Sequence, residues 1–527
     1  MNFEHGRSTT VKTDKGWVRG FKYNGIYHFY GLDYAFANRY EIPRECDAWE
    51  GVKEATCFGY ICPPGQPNRL GNHIKNPYRY WPTSDHCQNL NVWTRDLDPA
   101  KKKPVVFWLH GGGMFDGSSI EHQAYDGFQL AKKDDLCVVT INHRLNCLGY
   151  LDLSSFDEKY HRTPNLGMLD IVKALEWVQR NIAQFGGDPE NVTIFGQSGG
   201  GAKVTTLLNM PAAEGLFHKA MVMSGAVETR GVDSYVDQRP IILRAMEILG
   251  IEESDVDQLK SWDQKEMLKA LDQAAKEKGL RMLNLYSPKK NEDFSGNPAV
   301  YGFSEFSKKI PLIIGGVFAE FNYQFDNGYR ESDTTDEEAL KLLDAKFGEG
   351  KGVRLAPLFK KAFPDLKLVD LLNYQYNRFR TGTKEMIYRR IHDGCVETYN
   401  YMFAPLTKIN EHSTAVHSYE IPFFFHNVSL IPSNHLDNDD VTEQVELQCA
   451  GRLANFARYG KPQLPGQVDW IPCEPDHIRT LIIDGNTRMA DNYDDELVRI
   501  IQEGEGDQTD YEAQLARLVQ GNNADDR

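Results

Sequence analysis

Asn191-Val192-Thr193-Ile194-Phe195-Gly196-Gln197-Ser198-Gly199-Gly200-Gly201-Ala202-Lys203-Val204-Thr205-Thr206-Leu207-Leu208 is the stretch on which the fold turns. Residues 191–195 form a β-branched, apolar run that reads as a buried strand. Residues 202–208 read as a helix. Between them Ser198 stands in a Gly-x-Ser-x-Gly pattern, where glycines let the backbone turn sharply enough to expose one side-chain oxygen. Strand, tight turn and helix together present a serine as a nucleophile. At this glycine content chance supplies about 0.1–0.2 such patterns per chain, so a second feature has to agree.

That feature lies upstream. Pro104-Val105-Val106-Phe107-Trp108-Leu109 is another buried strand, and it runs straight into His110-Gly111-Gly112-Gly113. A run of unhindered backbone amides at a strand end can point at a developing oxyanion. Both glycine runs sit at strand ends, where sheets of alternating strands and helices carry their sites. The pair resembles the nucleophile and oxyanion clamp of an α/β-hydrolase.

Composition narrows the class further. The chain has 527 residues and 59 basic against 75 acidic side chains, a formal net charge of −16. That balance disfavours nucleic acid and anionic membranes as partners. Residues 1–10 carry neither a basic nor an apolar leader segment, and no apolar run is long enough to span a bilayer. Nine cysteines, an odd number, are scattered along the chain. This usage points to a reducing, cytoplasmic setting without membrane insertion.

Further along, residues 9–33 alternate like a small antiparallel start, and 34–88 read as loops folded over the main body. Buried strands are expected at 104–109, 137–142, 191–195, 220–224, 311–315 and 480–484. The segment 167–185 is an amphipathic helix with Met168, Ile171, Val172, Leu175, Val178 and Ile182 on one face. Residues 238–282, 335–400 and 496–519 read as helical. Strands interleave with helices to the end. The expectation is one α/β domain over 1–527: a mostly parallel central sheet with helices on both faces and helical cap insertions near 226–310 and 325–410.

A nucleophilic serine needs a base, and the base an orienting acid, in the chain order Ser, Asp/Glu, His. Glu320 sits in the loop after the buried strand at 311–315. Of the histidines beyond Ser198, His218 precedes the acid and His392 lies in a helical stretch. His417 is flanked by strand-like alternation, and periodicity leaves His412 and His426 open beside it. No His/Cys/Asp cluster has metal-ligand spacing, so neither metal nor cofactor is expected.

Longer motifs carry a family resemblance. Ser84-Asp-His-Cys-Gln-Asn-Leu-Asn-Val-Trp93, Asn142-His-Arg-Leu-Asn146, Asn165-Leu-Gly-Met-Leu-Asp170, Phe185-Gly-Gly-Asp-Pro-Glu-Asn-Val-Thr-Ile-Phe-Gly196 and Phe456-Ala-Arg-Tyr-Gly-Lys-Pro462 follow one another in order. Together they resemble the type-B carboxylesterases, the esterase group that includes the cholinesterases. The resemblance implies Ser198 as nucleophile, Glu320 as acid and His417 as base, within His417-Ser-Tyr-Glu420. It implies an oxyanion hole from the amides of Gly112, Gly113 and Gly199, and a supporting role for Ser224. It implies a small-molecule ester as substrate and an acyl-enzyme mechanism. Acyl transfer, or amide or carbamate hydrolysis, would use the same constellation, whereas a non-catalytic, partner-binding member of the fold usually loses the nucleophile or base, and here all the groups are present. The resemblance also pairs Cys62 with Cys87 in a disulfide.

The chain departs from the family pattern Gly-Glu-Ser-Ala-Gly at Gln197 and Gly199. Met114 stands where phenylalanine is usual after the triple glycine, and Phe321 where a glycine often follows the acid. These positions bear on substrate range.

Overall fold

The computed structural model describes residues 2–65, 79, 81–227, 229, 235–280, 285–321, 333–374, 379–407, 413–436 and 438–503. The described chain forms two compact units, one drawn from Met1–His73, Pro77–His218 and Asp233–Asn297, the other from Lys219–Val232 and Pro298–Arg527.

In the first unit ten strands form: β1 (Phe3–Glu4), β2 (Thr10–Lys12), β3 (Trp17–Arg19), β4 (Phe21–Tyr23), β5 (Ile26–Asp33), β6 (Val52–Glu54), β7 (Asn89–Thr94), β8 (Lys103–Leu109), β9 (Cys137–Ile141) and β10 (Gly187–Gln197). Seven run in the order β1-β4-β5-β7-β9-β8-β10, while β2, β3 and β6 make a small separate sheet. The pairs β9–β8 and β8–β10 are parallel, and the N-terminal strands are antiparallel. β8 is buried along its whole length, as expected for a strand covered on both faces.

Four helices accompany them: α1 (Phe128–Asp134), α2 (Asn146–Tyr150), α3 (Leu166–Asn181) and α4 (Gly199–Leu207). The six apolar residues assigned to one face of the 167–185 helix are all buried. The helix itself ends at Asn181, and a 3₁₀ turn carries the chain to Phe185. Two charged amphipathic helices, Arg239–Leu249 and Gln264–Glu277, fall where a helical insertion was expected.

The second unit holds β11 (Lys219–Met223), β12 (Leu312–Val317), β13 (Thr398–Phe403), β14 (Leu406–Thr407), β15 (Ser413–Thr414), β16 (Arg479–Ile483) and β17 (Arg488–Asp491). Five lie in the order β11-β12-β13-β16-β17, parallel except for β17. β13 corrects the sequence reading, which had carried the helical insertion through residue 400. The helix there ends at His392, and Thr398-Tyr-Asn-Tyr-Met-Phe403 is a fully buried strand. Its aromatic and β-branched residues suit a strand, but the preceding charged helix masked the change of period. The C-terminal helix is described over Asp495–Gln502, and the rest of the expected 496–519 segment lies outside the described residues.

Candidate active site

In the first unit, register sets the site. Gly196 pairs with Leu109 across the parallel β10–β8 ladder, so both strands end together and the chain leaves them side by side. One exit is Ser198 and the other is His110–Gly113. Ser198 has φ 57° and ψ −123°, a backbone conformation costly for any residue with a side chain and typical of functional sites. Its hydroxyl-bearing side chain is half-buried, at the N-terminus of α4, where aligned amides favour negative charge.

Glycine is required here by contact. A Cβ on Gly200 would stand 1.9 Å from the Leu109 carbonyl oxygen, and one on Gly196 would stand 2.5 Å from the Gly200 backbone. A Cβ on Gly199 would meet the Gly113 backbone, its nitrogen at 2.3 Å and its Cα at 2.4 Å. The structure therefore brings the proposed oxyanion residues Gly113 and Gly199 into backbone contact. Gly112, with φ 86°, opens a tight turn in which its carbonyl accepts from the amide of Asp116 at 2.9 Å. Gln197 and Met114 are both buried at this place. A Cβ on Gly111 would lie 3.5 Å from Gln197 Oε1, so the Gln197 amide extends toward the glycine loop.

The motif residues Arg144 and Asp170 prove structural. Arg144 donates through Nε and Nη2 to the two Asp170 carboxylate oxygens at 2.8 and 2.7 Å, with both side chains fully buried. The pair ties the loop after β9 to α3.

In the second unit, Glu320 lies in the loop after β12, as read from the sequence, and is buried. Its Oε1 accepts from the Val317 amide at 3.2 Å, and its Oε2 lies 2.5 Å from His417 Nδ1. The main chain holds the same pair, since the His417 amide donates to the Glu320 carbonyl at 2.8 Å. His417 itself follows a single bridge residue, Val416, where the sequence had suggested a strand. The structure thus brings Glu320 to His417 among the open histidines. His426 is instead buried beside Glu446, 3.3 Å from its carboxylate, and His412 lies outside the described residues.

Three further groups stand beside this pair. A Cβ on Gly316 would sit 2.7 Å from Glu320 Oε1 and 3.1 Å from Ser224 Oγ, so both side chains crowd one glycine. Glu420 is fully buried, and burial together with the charge of Glu320 pushes its carboxyl up to about 8. Phe321 stacks on the His417 imidazole, with centroids 4.0 Å apart and 30° between planes. The sequence marked Phe321 as a departure without reading this contact. It gave Glu420 and Lys203 no role of their own.

All nine cysteines are free, and the thiols of Cys62 and Cys87 lie together without a bond. Among the described residues no helix is long and apolar enough to cross a membrane, and no acidic, cysteine or histidine group is set to hold a metal ion.

A serine on a strained strand-to-helix turn with a glycine loop against it, in the first unit, and an acid–histidine pair after a parallel strand, in the second, are each features of α/β-hydrolases. The model of the carboxylesterase family matches residues 7–354 and 365–501, and the chain belongs to that family. It is 32% identical over 497 residues to the para-nitrobenzyl esterase of Bacillus subtilis (strain 168), covering 92% of this chain and 97% of that one. A solved esterase from the anaerobe Clostridium hathewayi, one that can hydrolyse aliphatic aromatic polyesters, superposes with a TM-score of 0.90. It is 37% identical and covers 95% of this chain and 99% of its own. A Geobacillus stearothermophilus carboxylesterase superposes at 0.72 with 29% identity, covering 94% and 99%. The protein is a carboxylic-ester hydrolase.

Proposed function

We propose that Ser198, Glu320 and His417 act as the catalytic triad on neutral small-molecule esters. His417 takes the Ser198 proton as the hydroxyl attacks the ester carbonyl, and Glu320 holds the imidazole tautomer and stabilises the imidazolium. The amides of Gly112, Gly113 and Gly199 receive the oxyanion, each worth about 3–4 kcal/mol of transition-state stabilisation. Water then cleaves the acyl-enzyme. The observation that carries this reading is the Glu320–His417 pair, bonded through both side chain and main chain. The strained backbone of Ser198 supports it from the other unit.

The preference for neutral esters rests on Gln197. A carboxylate there, as in the family pattern, would favour cationic substrates, whereas a buried amide supplies no net charge. Nine cysteines, an odd number scattered along the chain, support a cytoplasmic setting.

A phosphonate inhibitor tests the triad: it should add to Ser198 alone, read by mass spectrometry of the digest, and Ser198→Ala should be inactive. A label on another serine, or full activity in the variant, would refute the assignment. Matched esters differing only in a quaternary ammonium group should show the higher kcat/KM for the neutral member.

A further inference from the structure

Lys203 is a lysine with no exposed surface, on α4 just beyond the nucleophile. Its Nζ donates to the main-chain carbonyl of His110 at 3.0 Å. His110 is the residue at which β8 becomes the glycine loop. The far end of that loop has its own tie, because the buried Asn146 receives it: the Asn146 amide donates to the Met114 carbonyl at 2.8 Å, and its Nδ2 to the Phe115 carbonyl at 3.2 Å. Gly111, Gly112 and Gly113 lie between the two ties.

The surroundings of Lys203 are unusual for an ammonium. His110 and His143 stack with centroids 5.1 Å apart and 18° between planes. Nδ1 of each lies 2.9 Å from a carbonyl oxygen, that of Gly111 and of Arg144 respectively, which puts the proton on Nδ1. Nε2 of each is then a lone pair with no hydrogen-bond partner among the described residues. Burial and the nearby lysine hold both rings well below the ordinary histidine range, so they are neutral. Burial brings the Lys203 ammonium down to about 7, against a smaller opposing pull from the carboxyl of Glu121. Glu121 is itself pushed up to about 8 by burial and Asp116.

A buried ammonium is costly unless hydrogen bonds offset the water it loses, and the His110 carbonyl is the acceptor found for Lys203. We infer that Lys203 is a positioning residue of the oxyanion site: its ammonium grips the His110 carbonyl and so fixes the amides of Gly112 and Gly113 against Gly199. The inference rests on the reading of those amides as the oxyanion hole. Gly199 and Lys203 then belong together. Gly199 lets the loop approach to backbone contact, and Lys203 holds it there. A charge-assisted bond to the carbonyl suits this task, being shorter and roughly twice as strong as a neutral one. The neutral amine still donates, but more weakly.

The test compares the full-length wild type with Lys203→Met, which keeps the bulk and removes the donor, and Lys203→Gln, which keeps a neutral donor. Phosphonate titration at Ser198 counts competent sites in each. On a p-nitrophenyl ester, Lys203→Met should lose roughly 10- to 100-fold in kcat per site, below the 10²–10³ of deleting an oxyanion donor outright, with KM nearly unchanged. Lys203→Gln should fall between. Wild-type kcat/KM should decline on the alkaline side of neutrality as Lys203 loses its proton, and that limb should vanish in Lys203→Met. Wild-type kcat in Lys203→Met, a change confined to KM, or the same alkaline limb in both proteins would overturn the inference. Should Lys203→Met not fold, a wild-type kcat/KM that stays level from about pH 7 to pH 10 overturns it. If the wild type takes no phosphonate at Ser198, the triad reading fails and this inference with it. If the wild type is labelled and Lys203→Met turns over normally, only this inference fails.

Discussion

Phe321 and His417 stack face to face, and Phe379 lies tilted beside the same imidazole at 5.5 Å. The family pattern often leaves a glycine where Phe321 stands. An aromatic face against an imidazole restrains its rotation and attracts it when it becomes imidazolium. Such a pair is worth about 0.5–1.5 kcal/mol. Phe321→Gly should therefore lower kcat/KM by roughly 2- to 10-fold, while Phe321→Tyr stays close to wild type in steady-state assays. Equal rates for Phe321→Gly and wild type would make the ring a mere wall. At this scale the sequence was legible where a residue type has one use. Glu320 could be placed because it follows a strand, and the structure joins it to His417. Lys203 could not, since a single lysine on a helix ordinarily faces water. Only the carbonyl it meets, 93 positions upstream in the chain, makes it part of a site.

The elements that carry the site were the most legible. A strand ending in glycine and serine has few folds open to it, and β8, β9, β10, β11, β12 and β16 all appear within a few residues of their expected bounds. The strand that went unread, β13, lies between β12 and β16, where tertiary pairing on both edges decides the outcome over local pattern. The turn after β10 also predicts how far the family pattern transfers. The family pattern has alanine at the position of Gly199, yet here a Cβ would stand 2.3 Å from the Gly113 nitrogen. Backbone on backbone cannot yield as a flexible side chain can. Gly199→Ala should push the glycine loop away and lose about 10²–10³-fold in kcat, as for loss of one oxyanion donor, with a much smaller change in KM. A variant that turns over like wild type would mean that the loop moves freely and its close approach has no catalytic consequence.

At the scale of the molecule, two fully buried carboxyls in the second unit pull stability in opposite directions with pH. Asp494 accepts from Arg380 Nε at 2.7 Å and from the Tyr374 hydroxyl at 2.6 Å, and pairs with Lys384 at 2.9 Å. The cations outweigh the cost of burial and hold this carboxyl far below the usual range. Its folded value is depressed, so its contribution is present above the unfolded value near 4 and is lost as pH falls below it. Glu420 is the reverse. Burial and the charge of Glu320 raise it to about 8, so its contribution is complete below the unfolded value near 4.5 and is lost as pH rises through about 8. Neither group could be assigned from the sequence, because both signs depend on partners brought in from distant segments. Asp494→Asn should lower the thermal midpoint by many degrees at about pH 7, leaving the buried Arg380 guanidinium without its carboxylate, with the gap narrowing toward about pH 3. Glu420→Gln should match the wild type near pH 5 and exceed it increasingly toward about pH 9, since the amide has no proton to lose. Scanning calorimetry of the three proteins across that range is the check. A Glu420→Gln midpoint that tracks the wild type at every pH would mean that Glu420 finds compensation for its charge in the fold. An Asp494→Asn deficit that persists undiminished at low pH would mean that the cluster stabilises by packing alone.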